Sequence, residues 1–163
     1  MTISIVRIDD RLIHGQIIQG WLKNVDIDAL AVASDAASKD TVWQTLMSIS
    51  VPDNIKLKVA SVEDIAAAVL NGDFDKDKTM LLASSPKDIL FILKKGVKFN
   101  SVNVGGMHYG DGKNEILYNI YADDADIAAL KEISSMGISL EGRLLPEDEK
   151  NDVAAAIKKY ESK

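Results

Sequence analysis

The stretch Ile3-Ser-Ile-Val-Arg-Ile-Asp-Asp-Arg-Leu-Ile-His-Gly-Gln-Ile-Ile-Gln-Gly20 decides how the rest of the chain is read. Ile3, Ile5 and Ile8 mark a short apolar strand over residues 3–8. The strand runs into two carboxylates, an arginine and one of the chain's two histidines. The spacing then changes. Ile17, Ile18, Trp21 and Leu22 share one face of a 3.6-residue period, which predicts a helix over about 15–23. A strand that gives way to a helix within a few residues is the first half of a βαβ unit.

The same alternation continues downstream. Strands are expected at 29–33, 55–59, 80–83, 101–104, 116–120 and 138–144. The helix expected at 35–49 carries Val42, Leu46 and Ile49 in register towards the core. Ser61-Val-Glu-Asp64 has the spacing of an N-cap with an acid three residues on, and Asn71-Gly72 closes that helix. Ser85-Pro86 supplies an N-cap and an N1 proline, and Gly96 stands where a left-handed C-terminal residue belongs. The helix between them, Ile89-Leu-Phe-Ile-Leu93, is apolar nearly all round and is expected to be well covered. An acid-capped helix is expected over 123–136, and Pro146 is expected to open a final helix carrying Val153, Ile157 and Tyr160. Repeated strand–helix units with short connections predict an α/β fold: an open, doubly wound, mostly parallel sheet with helices on both faces.

Size and composition bound the function. With 163 residues, 47% apolar and 27% charged, and no biased tract, the chain reads as a single globular domain over residues 1–163. A net charge of −6 leaves no basic stripe for nucleic acid and confines any basic surface to the neighbourhood of Arg7 and Arg11. The absence of cysteine removes disulfides, thiolate catalysis and Cys-type zinc sites, and His14 and His108 alone make a poor metal site. No metal or other cofactor is expected. No apolar run approaches the ~20 residues needed to span a bilayer, so direct membrane insertion is not expected. The first strand begins at residue 3, leaving no room for a signal peptide, so an intracellular protein is expected.

In such a fold ligands gather at the carboxyl ends of the strands. His14 lies on the loop leaving the first strand, and Ser84, Ser85, Gly105 and Gly106 lie at the same edge. A neutral imidazole nitrogen is a nucleophile towards a phosphoryl group. Arg11 could clamp the phosphoryl oxygens with its planar fork. Asp9 or Asp10 could accept from the other ring nitrogen and fix the tautomer. Gly15 and Gln16 supply amides, and Ser84 and Ser85 hydroxyls, for binding phosphate.

Other readings stay open at this point. His14 could be a packed or capping histidine, with Asp10 and Arg11 a surface ion pair. Gly105-Gly-Met-His-Tyr-Gly-Asp-Gly-Lys113 departs from a phosphate loop, because Asp111 stands where lysine is required. His108 then reads as a loop residue whose segment helps cover the His14 rim. Trp21 and Trp43 read as core or interface residues. Two further function classes remain: a non-catalytic module that docks a phosphorylated partner, and a small-molecule hydrolase using His14 with Asp9 or Asp10.

Arg7-Ile-Asp-Asp-Arg-Leu-Ile-His-Gly-Gln16 resembles the phosphorylation-site signature of IIB components of the bacterial sugar phosphotransferase system, mannose/fructose/sorbose class. Ser85-Pro86, Val102-Asn-Val-Gly-Gly-Met107 and the segment 140–146 resemble stretches at corresponding places, so the likeness runs along essentially the whole chain. The resemblance implies that His14 receives a phosphoryl group on Nδ1 from the phosphohistidine of a IIA protein, while neighbours orient Nε2. It implies that Arg11 stabilises the group in transit. It further implies transfer to a sugar imported through membrane IIC and IID subunits. No nucleotide is needed, and the site would be cytoplasmic, at the periphery of the membrane complex.

Overall fold

The structure, a computed structural model, describes residues 3–163. In chain order the first half comprises β1 (Ile3–Asp9), a short π-helix (Gln16–Trp21), β2 (Ala29–Ala33), α1 (Asp35–Ser38), α2 (Thr41–Ser50), β3 (Lys56–Ala60) and α3 (Val62–Leu70). There follow β4 (Thr79–Ala83), α4 (Pro86–Lys94), β5 (Ser101–Gly106), β6 (Asn114–Leu117), β7 (Ile120–Ala122) and α5 (Asp124–Ser135). The chain ends with β8 (Ser139–Gly142), β9 (Asn151–Asp152) and α6 (Val153–Glu161). A seven-stranded sheet runs β3-β2-β4-β1-β5-β8-β9, and every pairing is parallel except β8–β9.

Side-chain alternation divides the core in two. Ala29, Ala31 and Ala33 of β2 and Leu81 and Ala83 of β4 face α3, α4, α5 and α6. Leu30 and Val32, with Met80 and Leu82, face the π-helix, α1 and α2. Strands covered on both sides need an apolar residue at nearly every position, which is why β2 and β4 read as continuous apolar runs. The doubly wound α/β architecture is as expected. Among the described residues no helix is long and apolar enough to cross a membrane.

Local departures have local causes. The helix expected at 35–49 is two helices, because Ser34 caps α1 through the Ala37 amide and Asp40 starts α2 afresh by accepting from the Trp43 amide. Val42, Leu46 and Ile49 point outward, 69%, 59% and 76% exposed, while Met47 is buried. α2 carries two apolar stripes, and the one with Trp43 and Met47 joins the apolar cluster that also holds Trp21, Leu30 and Leu82. The helix expected at 15–23 is the π-helix, in which the Leu22 amide reaches back to Ile17 O. The strand expected at 116–120 is the hairpin β6–β7, turned at Asn119 with φ +62 and separate from the main sheet. The last parallel strand stops at Gly142, and Pro146 precedes the final helix without starting it. Asp152 caps α6 instead, after β9 has paired back on β8. In α4 Phe91 is exposed, so that helix is less covered than expected.

The assignment of α2 is testable by denaturation. Met47→Ala should cost about 2–5 kcal/mol by leaving a cavity. Leu46→Gln, on the exposed stripe, should stay within about 0.5 kcal/mol. The opposite ranking of urea midpoints would place the wrong stripe inside.

Candidate functional site

β1 lies at the centre of the sheet, between β4 and β5. The chain leaves β1 across the face that holds the π-helix and leaves β4 across the opposite face that holds α4. The two connections part at the carboxyl edge, the usual place for a site in this architecture.

Arg7 and Asp9 are two residues apart on β1, so their side chains share one face. Both are fully buried. Arg7 Nη2 donates to Asp9 Oδ2 at 3.0 Å, and Nη1 donates to Asn103 Oδ1 at 2.5 Å and to the Arg143 carbonyl at 3.2 Å. Its guanidinium carbon stands 5.1 Å from the Trp21 ring centroid, and that of Arg143 stands 5.2 Å from the same ring. Gly105 makes room for this cation: a Cβ there would lie 1.9 Å from Arg7 Cζ. The surface cation expected at position 7 is therefore a buried one, since inward register and a carboxylate two residues on give it a partner inside.

The chain turns sharply after Asp9. The Leu12 amide donates to Asp9 O at 2.9 Å and the Arg11 amide to Asp9 Oδ1 at 3.2 Å. Leu12 adopts φ +58, a conformation unfavourable for a bulky residue, and its fully buried side chain anchors it there. The turn brings the His14 ring back over Asp9, with Nε2 2.7 Å from Oδ2. A carboxylate can only accept, so Nε2 carries the hydrogen of this contact. The Gln16 amide approaches Nδ1 at 3.4 Å, as a donor to an unprotonated nitrogen would. The His14 side chain is 13% exposed.

Burial works to raise the Asp9 carboxyl, but the hydrogen bond from His14 and the charge of Arg7 outweigh it and hold the group below the ordinary carboxylate range. Burial lowers Arg7 from its ordinary value, opposed by Asp9. The guanidinium remains charged, so the pair is ionic.

The remaining sequence candidates occupy different positions. Asp10 faces away from His14: its Oδ2 accepts the His108 amide at 2.7 Å and its Oδ1 meets His108 Nδ1 at 2.5 Å. The orienting carboxylate on His14 is Asp9 alone. The Arg11 side chain is exposed and has no hydrogen-bond or ion-pair partner among the described residues. Gly15 is exposed, with open space where a Cβ would stand. The Ser84 hydroxyl donates to Asp88 Oδ2 at 3.0 Å and Ser85 Oγ accepts the Asp88 amide at 3.3 Å, so both are engaged at the start of α4. Sequence reading passed over Asn103, Trp21 and Arg143 as parts of the Arg7 cage. The one available signal was a charged residue at an inward strand position, in register with Asp9.

The family model for "PTS system sorbose subfamily IIB component" matches residues 3–163. The chain belongs to this IIB family. The IIB fold is shared closely with the crystal structure of the sorbose permease IIB domain from Klebsiella pneumoniae, at TM-score 0.92 and 30% identity over 98% of each chain. A fructose-specific EIIB component of Bacillus subtilis is 35% identical over 158 residues, 97% of either chain. A mannose-specific EIIAB component of Escherichia coli is 35% identical over 161 residues. That match takes in 99% of this chain but 50% of the relative, so this IIB chain spans about half the length of that protein.

Asp9→Ala strips Arg7 of its counter-charge and should destabilise the fold by about 3–5 kcal/mol. The carboxyl is depressed in the native state. The stability it confers is therefore complete above the unfolded-state value of about 4 and is lost as pH falls through the lowered native one. The gap between wild type and Asp9→Ala in urea titrations should be constant near neutrality and close only in acid. Gly105→Ala should cost about 3 kcal/mol, because the buried guanidinium has nowhere to move.

Proposed function

We propose that this IIB component is a phosphohistidine carrier that accepts a phosphoryl group from a phosphorylated IIA protein on Nδ1 of His14. It then passes the group to a sugar entering through membrane IIC and IID subunits. The observation that carries this reading is the 2.7 Å contact between His14 Nε2 and Asp9 Oδ2, which engages Nε2 and leaves Nδ1 to act as the nucleophile.

In the transfer, the Nδ1 lone pair forms the new bond to phosphorus as the bond to the donor nitrogen breaks, and the donor imidazole keeps that electron pair. The Nε2 hydrogen stays on His14. Positive charge that builds on the ring is met by the Asp9 carboxylate, already in place. Phosphoryl transfer through a loose transition state asks mainly for alignment and charge stabilisation. The unpaired Arg11 guanidinium is the cation for the phosphoryl oxygens, and its fork suits two of them at once. The amides of Gly15 and Gln16 are further phosphate-binding candidates, whereas Ser84, which donates its hydrogen to Asp88, and Ser85, which accepts from the Asp88 amide, would have to give up or add to those bonds to join them. Exchange between two histidines is nearly isoenergetic, so the same geometry serves acceptance and release. Relatives with this fold are named for sorbose, fructose and mannose, which supports choice of the sugar by the membrane subunits.

The test is incubation with phosphoenolpyruvate, the general phosphotransfer proteins and a IIA protein of the same class, followed by intact mass. Wild type should gain a single acid-labile phosphoryl group, and His14→Ala none. An unmodified wild type beside a demonstrably phosphorylated IIA would overturn the proposal.

A further inference from the structure

Arg11 is an anomaly of pairing. An exposed arginine flanked in sequence by Asp9 and Asp10 would ordinarily fold back on one of them, since carboxylates match its planar fork. It does so with neither. Asp9 is spent on Arg7, on His14 and on the Arg11 backbone amide. Asp10 is spent on His108, which takes one carboxylate oxygen with its amide at 2.7 Å and the other with ring Nδ1 at 2.5 Å.

The segment that holds Asp10 is itself fixed. The Asp10 amide donates to Gly106 O at 3.0 Å, so residue 10 is tied to this strand end by main chain as well as side chain. Met107 is bound to the hairpin on both sides, its amide to Asn119 O at 3.0 Å and its carbonyl to the Tyr121 amide at 2.8 Å. Tyr109 stands edge-on to Tyr121, with ring centroids 5.8 Å apart. His108 therefore projects from a braced support and leaves Asp10 little freedom to swing towards its neighbour.

We infer that His108 is a positioning residue for the reaction at His14: by capturing both oxygens of Asp10 it keeps the Arg11 guanidinium open for a phosphoryl group. The inference rests on the reading of His14 as the phosphoryl acceptor. Without the His108 ring Asp10 would keep only the main-chain bond on Oδ2, and its freed Oδ1 would act against transfer twice. It would pair with Arg11, and its negative charge would be free to swing towards the place where a dianion has to be held. His108 never touches the phosphoryl group in this scheme. It acts through Asp10.

The experiment measures the second-order rate of His14 phosphorylation with two donors, the phosphorylated IIA protein and phosphoramidate, a small donor with no docking surface. His108→Ala should lower the rate roughly fivefold with both, the scale of an exposed charge pair. His108→Asn, whose amide nitrogen can stand in for Nδ1, should recover most of it. Asp10→Asn/His108→Ala should return to the wild-type rate, because no competing carboxylate remains. Unfolding midpoints measured alongside identify any variant that has lost the fold. A loss seen only with IIA would overturn the inference by making His108 a docking contact. A loss undiminished in the double variant, or no loss at all, would overturn it equally. Failure of wild type to accept from either donor is a different result, and removes the reading of His14 beneath it.

Discussion

The ion pair between Arg7 and Asp9 is the constraint on which the rest of the site depends. Two charges out of water are costly, and they persist only where geometry and added hydrogen bonds compensate. Here the compensation comes from distant parts of the chain: Asn103 on β5, the carbonyl of Arg143 after β8 and the ring of Trp21 on the π-helix. The pair can form only once β1, β5 and β8 stand side by side and the π-helix has closed over them. The cage around the pair is thus built from the same strands as the sheet, and Gly105 leaves room for the guanidinium.

From that pair the chemistry follows. The His14 hydrogen bond and the Arg7 charge together hold the Asp9 carboxyl below its ordinary range, and Asp9 in turn holds Nε2 of His14 at 2.7 Å. The turn that makes this possible is held by main-chain bonds to Asp9 and by a left-handed Leu12 whose side chain is locked in the core. A second acid, Asp10, is tied off by His108, and the Arg11 side chain between Asp10 and His14 in sequence has no hydrogen-bond or ion-pair partner among the described residues. Relatives similar in sequence over nearly the whole of this chain are named for mannose, sorbose and fructose.

The architecture was legible in the sequence because its signals are local. The apolar runs of β2 and β4, the cap at Ser85-Pro86 and the glycine after α4 each act within a few residues. Where two local signals competed, sequence reading had no means to choose. α2 has two apolar stripes, and the one with Trp43 and Met47 is selected by a cluster drawn from the π-helix, β2 and β4, elements that lie elsewhere in the chain. That His14 meets an acid at the end of the first strand was legible from their spacing on one loop. Which acid faces the histidine was not, since Asp9 and Asp10 differ only in the side of β1 they leave, and their partners lie at Asn103 and His108. Arg7 read as a surface charge for the same reason: its cage comes from residues 14 to 136 positions away.

The central claim is that Asp9 fixes the tautomer of His14 and so selects the nitrogen that acts. The most direct test is a long-range proton–nitrogen correlation spectrum of the 15N-labelled protein at neutral pH, with His14 assigned by its loss in His14→Ala. The account predicts a protonated, pyrrole-type Nε2 and a bare, pyridine-type Nδ1. A His14 ring with its hydrogen on Nδ1 and a bare Nε2 would contradict it, because Asp9 could not then hold the ring as described and the nucleophile would be the other nitrogen.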